Sequence, residues 1–175
     1  MKLHRPFAAA LSLAALFQIP TAQAQSCITE TEVADLLVYA MPLAIDGVYA
    51  KCSATASKQG FLNSGSSKLR SKYAALTDQS WPGARSALLK FASSRDKATS
   101  FGDLGQLPDN AVRPLIDAII IQKVSQETKP ESCMDIERGL GLIAPFKPRD
   151  TSALLAFVAG MANLRSPDVC PVNNK

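Results

Sequence analysis

The chain has 175 residues, 47% of them hydrophobic and 19% charged, with 19 Lys and Arg against 15 Asp and Glu for a formal net charge of +4. That is enough chain for one domain with a substantial core, and too modest a charge for a nucleic-acid binder, with only Tyr73, Trp81 and Phe91 interleaved among its bases. The only histidine is His4, so Ser-His-Asp and Cys-His catalysis and histidine-ligated haem or zinc are excluded from any domain that follows it.

The first 24 residues read as a secretory signal peptide. Lys2, His4 and Arg5 form a basic start, Phe7–Phe17 an apolar segment and Ala22-Gln23-Ala24 an A-x-A cleavage site. The apolar segment is shorter than the ~20 residues that span a bilayer. Ala24-Gln25-Ser26-Cys27 lacks the leucine-like residue that precedes a lipidated cysteine. The expectation is a single domain over 25–175, periplasmic or secreted, with no transmembrane segment after cleavage.

Thr29–Cys52 is the longest helix-compatible apolar run. Thr29 and Glu32 form a capping-box pattern, and Glu30, Glu32 and Asp35 suit the positive end of a helix dipole. Val33, Leu36, Leu37, Ala40, Leu43, Ala44, Gly47 and Val48 gather on one side, with Asp35, Tyr39, Asp46 and Tyr49 on the other. That polar stripe reads either as the lining of a groove or as the solvated face of an amphipathic helix. Pro42 predicts a kink, or two helices meeting at Met41–Pro42. The other helices are expected to pack around this one.

Four cysteines, Cys27, Cys52, Cys133 and Cys170, imply two disulfides in an exported protein, and no C-x-x-C spacing suggests a metal site. A helix over Thr29–Cys52 holds its ends ~30–35 Å apart, far beyond the ~7 Å a disulfide allows. Cys27–Cys52 is therefore disfavoured, and the expected pairing is Cys27–Cys170 with Cys52–Cys133.

Ser53–Ser67 reads as a surface loop anchored by Phe61-Leu62. Lys68–Leu76 is a short helix, and Trp81-Pro82 opens another with Ala84, Leu88, Phe91 and Ala92 inward and Trp81 as a core anchor. Residues 97–107 read as a loop, and Gly102-Asp103-Leu104-Gly105 is no phosphate loop. Pro108 to Glu127 is a second long helix, apolar nearly all round and therefore expected to be central. Ser132-Cys133-Met134-Asp135 starts a helix with a variant capping box, stopped by Pro145. Asp150 or Thr151 caps the last helix, with Leu154, Leu155, Phe157, Val158 and Met161 expected inward; residues 166–175 are a tail tied by Cys170. The fold class is all-α: a single compact bundle of about six helices with two disulfides.

Residues 25–50 carry Glu30, Glu32, Asp35 and Asp46 and no base, while 51–97 are strongly basic. Lys68, Arg70, Lys72, Arg85 and Lys90 are candidate binding residues for an anionic envelope component or an acidic protein; the bland reading is that they are solvated or fold against the acidic first helix. No cofactor or metal is implied. The remaining route to catalysis is carboxylate chemistry. Asp46 and Asp117, each in apolar surroundings, are the pair a small hydrolase acting on cell-wall glycan would use. The functional expectation is instead an exported interaction protein without catalytic activity. Its size and inferred build are comparable to small periplasmic binding, inhibitor and immunity proteins, a likeness of architecture alone.

Overall fold

The structure, a computed structural model, describes residues 27–95, 105–162 and 169–171. The signal-peptide reading of 1–24, the Gly102–Leu104 stretch, the Lys97 charge and most of the 166–175 tail lie outside these residues. Those described form α1 (Glu30–Cys52), α2 (Phe61–Ser64), α3 (Ser66–Ala74), α4 (Thr77–Arg95), α5 (Asp109–Glu127), a 3-10 turn (Pro130–Ser132), α6 (Cys133–Ile143) and α7 (Pro148–Met161). The chain is all-α. The sole β pairing among the described residues is one isolated parallel bridge between Ile28 and Val169.

α1 starts where its sequence says it should. The Thr29 hydroxyl accepts from the Glu32 amide at 3.2 Å, and the Glu32 carboxylate accepts from the Thr29 amide at 2.8 Å. Two amides at the helix start are thereby satisfied without water. The helix continues through Pro42 as one element.

Among the described residues three apolar clusters make the core, and α1 contributes to each. Val38 and Ile45 meet Leu69 and Tyr73 of α3. Tyr39 meets Trp81 and Ala84 of α4 and Val112 of α5. Val48 and Cys52 meet Leu62 of α2 and Cys133 of α6. α3, α4, α5 and α7 all pack on α1. Among the described residues α1 is the one helix long and apolar enough to cross a bilayer, yet it occupies the place of a core helix, surrounded by four others. Gly47 permits the closest approach: a Cβ there would lie 2.8 Å from the Ile121 carbonyl oxygen and 2.9 Å from Val124 Cβ.

The disulfides fix both ends of this hub. Cys27 bonds Cys170 with Cα atoms 5.0 Å apart, and Cys52 bonds Cys133 at 5.6 Å. Beside the first, the Cys170 amide donates to the Ile28 carbonyl at 2.9 Å. Such bonds belong to an oxidising compartment.

Several boundaries differ from the sequence expectation. The 53–67 stretch contains α2. Its N-terminus is completed from α6, where the Glu137 carboxylate accepts from the Leu62 amide at 2.9 Å, and any Cβ at Gly60 would collide with that carboxylate. α4 begins at Thr77, so Pro82 lies inside it rather than in its first turn. Ser132 has helical backbone angles and ends a 3-10 turn, so its hydroxyl caps nothing. α7 begins at Pro148 with Lys147 as its cap.

α5 is not central: Val112 is its one fully buried residue, and Leu115 and Ile119 face outward. α7 is turned the other way from expectation. Thr151, Ser152, Ala156 and Gly160 are its buried residues, while Leu154, Leu155, Phe157, Val158 and Met161 are exposed. Small side chains at 152, 156 and 160, one turn apart, let α7 sit close on α1. Close seating favours dispersion contact over the burial of a few large side chains.

Candidate functional site

The polar stripe of α1 is covered along most of its length. Asp35 accepts from Arg149 of α7 at 2.6 Å, and its side chain lies where a Cβ on Gly83 of α4 would be. Tyr39 is buried and donates its hydroxyl to the Asp117 carboxylate of α5. Asp46 takes both Nε (2.6 Å) and Nη2 (2.8 Å) of Arg70 in a bidentate pair. Tyr49 alone of the four stays exposed.

Tyr39 and Asp117 open into a cleft of about 470 Å³ bounded by α1, α3, α4 and α5. Pro42, Leu43, Ala74 and Pro114 supply its apolar lining; Arg70, Thr77, Asp78, Asn110 and Arg113 supply polar groups. Arg113 organises one wall. Its guanidinium lies 5.0 Å from the Trp81 ring centroid and 5.7 Å from that of Tyr39, and it donates to Asp78 at 2.7 Å. Burial pushes the Tyr39 phenol well above its ordinary value, and the Asp117 carboxylate adds to the rise while Arg113 opposes it. Tyr39 therefore stays a proton donor, and Asp117 is its acceptor.

Asp46 and Asp117 are not assembled as a catalytic pair around one space. Asp117 lines the cleft; Asp46 does not, and reaches it only by holding Arg70. The cleft's cations are likewise engaged, Arg70 with Asp46 and Arg113 with Asp78. The site is a charge-compensated recess rather than a set of unmatched groups. Arg113 was absent from the sequence-based candidates. The spacing that places it beside Asp117 is i, i+4 on one helix, visible in the sequence but uninformative until Tyr39 and Trp81 are known to lie under it.

The basic block is divided among separate intramolecular contacts. Lys72 donates to the Ala144 carbonyl at the C-terminal end of α6 at 2.7 Å. Arg85 donates to the Gly105 and Leu107 carbonyls at 2.9 and 3.1 Å and lies 3.4 Å from Asp109. Lys90 donates to Glu32 at 2.7 Å and to the Cys27 carbonyl at 3.1 Å. With Arg70 on Asp46, four of the five candidates tie one element to another, and Lys68 is the one that is simply exposed.

Glu32 shows how firmly such a tie can hold. Burial opposes its ionisation, but Lys90, the Ser86 hydroxyl and both Thr29 donors outweigh that, and the carboxyl is brought down to about 2. Lys90 thus clamps α4 to the start of α1, beside the Cys27–Cys170 bond.

The large apolar side chains that α7 turns to the surface form the other candidate site; Met134, Leu142 and Phe146, in and just after α6, are exposed as well. Leu154, Phe157, Val158 and Met161 lie at i, i+3, i+4 and i+7, so they share one face of α7, with Leu155 at its edge. Leu154 is 63% exposed and Met161 59%. No charged residue occurs between Thr151 and Met161. Compared with known proteins, the chain matches no family model, no curated protein and no solved structure.

Proposed function

We propose that this chain is an exported, non-catalytic interaction protein, periplasmic or secreted, that engages a protein partner through the outward face of α7. The observation that carries the reading is that face: four large apolar side chains in helical register, uncharged and directed away from the core. Contiguous apolar surface on that scale marks interaction sites more often than scattered exposed leucines do. The ionisable groups point the same way. Asp35, Asp46, Lys72, Arg85 and Lys90 are each engaged in holding helices together, which leaves them little part in chemistry or in recognising an anionic envelope component. Two disulfides suit an exported protein, and an inhibitor- or immunity-type role is in keeping with this build.

The test is a photo-activatable phenylalanine analogue at position 154, irradiated in living cells, with the same probe at Lys68 as the control. A discrete protein adduct from position 154 and none from 68 is the expected result. Absence of any adduct from 154 would overturn the reading.

A small hydrolase acting on cell-wall glycan is the second reading. One observation favours it: Asp117 lies in a cleft of a size to admit a sugar unit. It requires that the purified protein release fragments from isolated cell wall and that Asp117→Asn abolish the release. No release by the unaltered protein rejects it.

A further inference from the structure

Resting on the reading of α7 as an interaction face, we infer that its occupant is a second copy of this chain, docked α7 against α7 about a two-fold axis. Taking ~150–200 Å² for a large apolar side chain, the exposed fractions of Leu154, Leu155, Phe157, Val158 and Met161 amount to on the order of 400–500 Å². That is as large as the biggest apolar patch on an ordinary monomer. Two such patches in contact, with Ala153 and Ala162 between and beside them, bury about 1,000 Å², the lower limit for a specific protein interface.

Chemistry selects the occupant. A two-fold interface places the same patch on both sides, so the patch must complement itself. A charged patch would meet its own charge. This one carries none from Thr151 to Met161, and the pattern i, i+3, i+4, i+7 is the stripe by which two helices interdigitate. A lipid surface fits less well. An interfacial helix needs a free basic face opposite its apolar one, whereas the opposite face of α7 is buried and Arg149 is bonded to Asp35. An acidic or basic partner protein would find no counter-charge on the patch.

The experiment is sedimentation equilibrium on the purified oxidised protein, 1–200 µM, alongside Leu154→Lys with Met161→Lys. Both altered side chains are more than half exposed in the monomer, and far-ultraviolet circular dichroism checks that the helices persist. The unaltered protein should sediment at twice its monomer mass within this range, and the double variant should dissociate with a Kd raised at least 100-fold. The photo-probe at 154 should give a covalent dimer. A dimer unaffected by the double substitution overturns the inference, because the interface then lies elsewhere. A monomer throughout, whose probe at 154 traps a different protein, overturns the second copy but leaves the interaction reading standing. A monomer with no adduct overturns both. Recovery of the protein with floated phosphatidylglycerol vesicles, lost in the double variant, assigns the face to lipid and also overturns it.

Discussion

Replacing Glu32 by Gln tests the clamp at the start of α1. The substitution keeps the size of the side chain and an acceptor for the Thr29 amide, but removes the charge that Lys90 faces at 2.7 Å. In the folded protein the carboxyl is brought from 4.5 to about 2. Each unit of such a shift is ~1.4 kcal/mol of differential stabilisation, so the full value is about 3 kcal/mol. The Glu32 and Lys90 side chains are still 16% and 22% exposed, and screening lowers the expectation to ~2–3 kcal/mol. Because the folded value is depressed, this stability is fully present above the unfolded value of 4.5 and disappears as pH falls toward 2. Urea unfolding followed by circular dichroism, at pH 7 and again at pH 3, gives both numbers. Glu32→Gln should be less stable by ~2–3 kcal/mol at pH 7, with under half of that difference left at pH 3. A difference below ~0.5 kcal/mol at pH 7, or one that does not change with pH, would show that the pair adds no more than an exposed surface pair does and refute the clamp.

Three further outcomes follow from the packing. Removing the Cys52–Cys133 bond by double replacement with Ala should destabilise the protein by ~2–5 kcal/mol, and thiol labelling of the denatured, non-reduced parent should find no free thiol. Gly47→Ala should lower stability by ~1 kcal/mol net, because displacing Ile121 and Val124 outweighs the helix preference for Ala, whereas Gly139→Ala, with nothing within 4 Å of its new methyl, should raise it by ~0.5–1 kcal/mol. Lys72→Glu should destabilise by ~1 kcal/mol through loss of its bond to the C-terminal end of α6, and Lys68→Glu should be neutral within ~0.5 kcal/mol; the reverse order in urea unfolding would contradict the assignment.

What the sequence makes legible is local. The Thr29/Glu32 box is a spacing of three residues, and both of its hydrogen bonds form. The length of α1 alone keeps Cys27 and Cys52 from meeting, and each has a distant partner. The hub role of α1 was expected, but not the residues that carry it: of the side read as apolar only Gly47 and Val48 are buried, while Val38, Tyr39 and Ile45, outside that reading, make most of its core contacts. Tyr39 reads as either groove lining or solvated face until Asp117, 78 residues away, accepts its hydroxyl proton at the edge of the cleft. Ser132 has the residue type of a cap, but its backbone angles come from the preceding 3-10 turn, which residue type does not encode. α7 is the instructive case. Its sequence holds two stripes, one of large apolar residues and one of small ones. Periodicity picks out the large one and ranks it as inward. The structure buries the small-residue face, and α1 is the helix on which α7 packs. The cleft depends on four helices at once, so no single stretch of sequence announces it.

The orientation of α7 underlies the whole functional reading, and a paired stability measurement tests it most directly. Ala156 is fully buried and Leu154 is 63% exposed. Urea unfolding of Ala156→Leu and Leu154→Ser, at a concentration low enough to keep the protein monomeric, should show the first destabilised by ~1–3 kcal/mol through overpacking against α1 and the second unchanged within ~0.5 kcal/mol. If Leu154→Ser instead loses ~2 kcal/mol or more while Ala156→Leu is tolerated, the large apolar face lies inward and the interaction surface described for α7 does not exist.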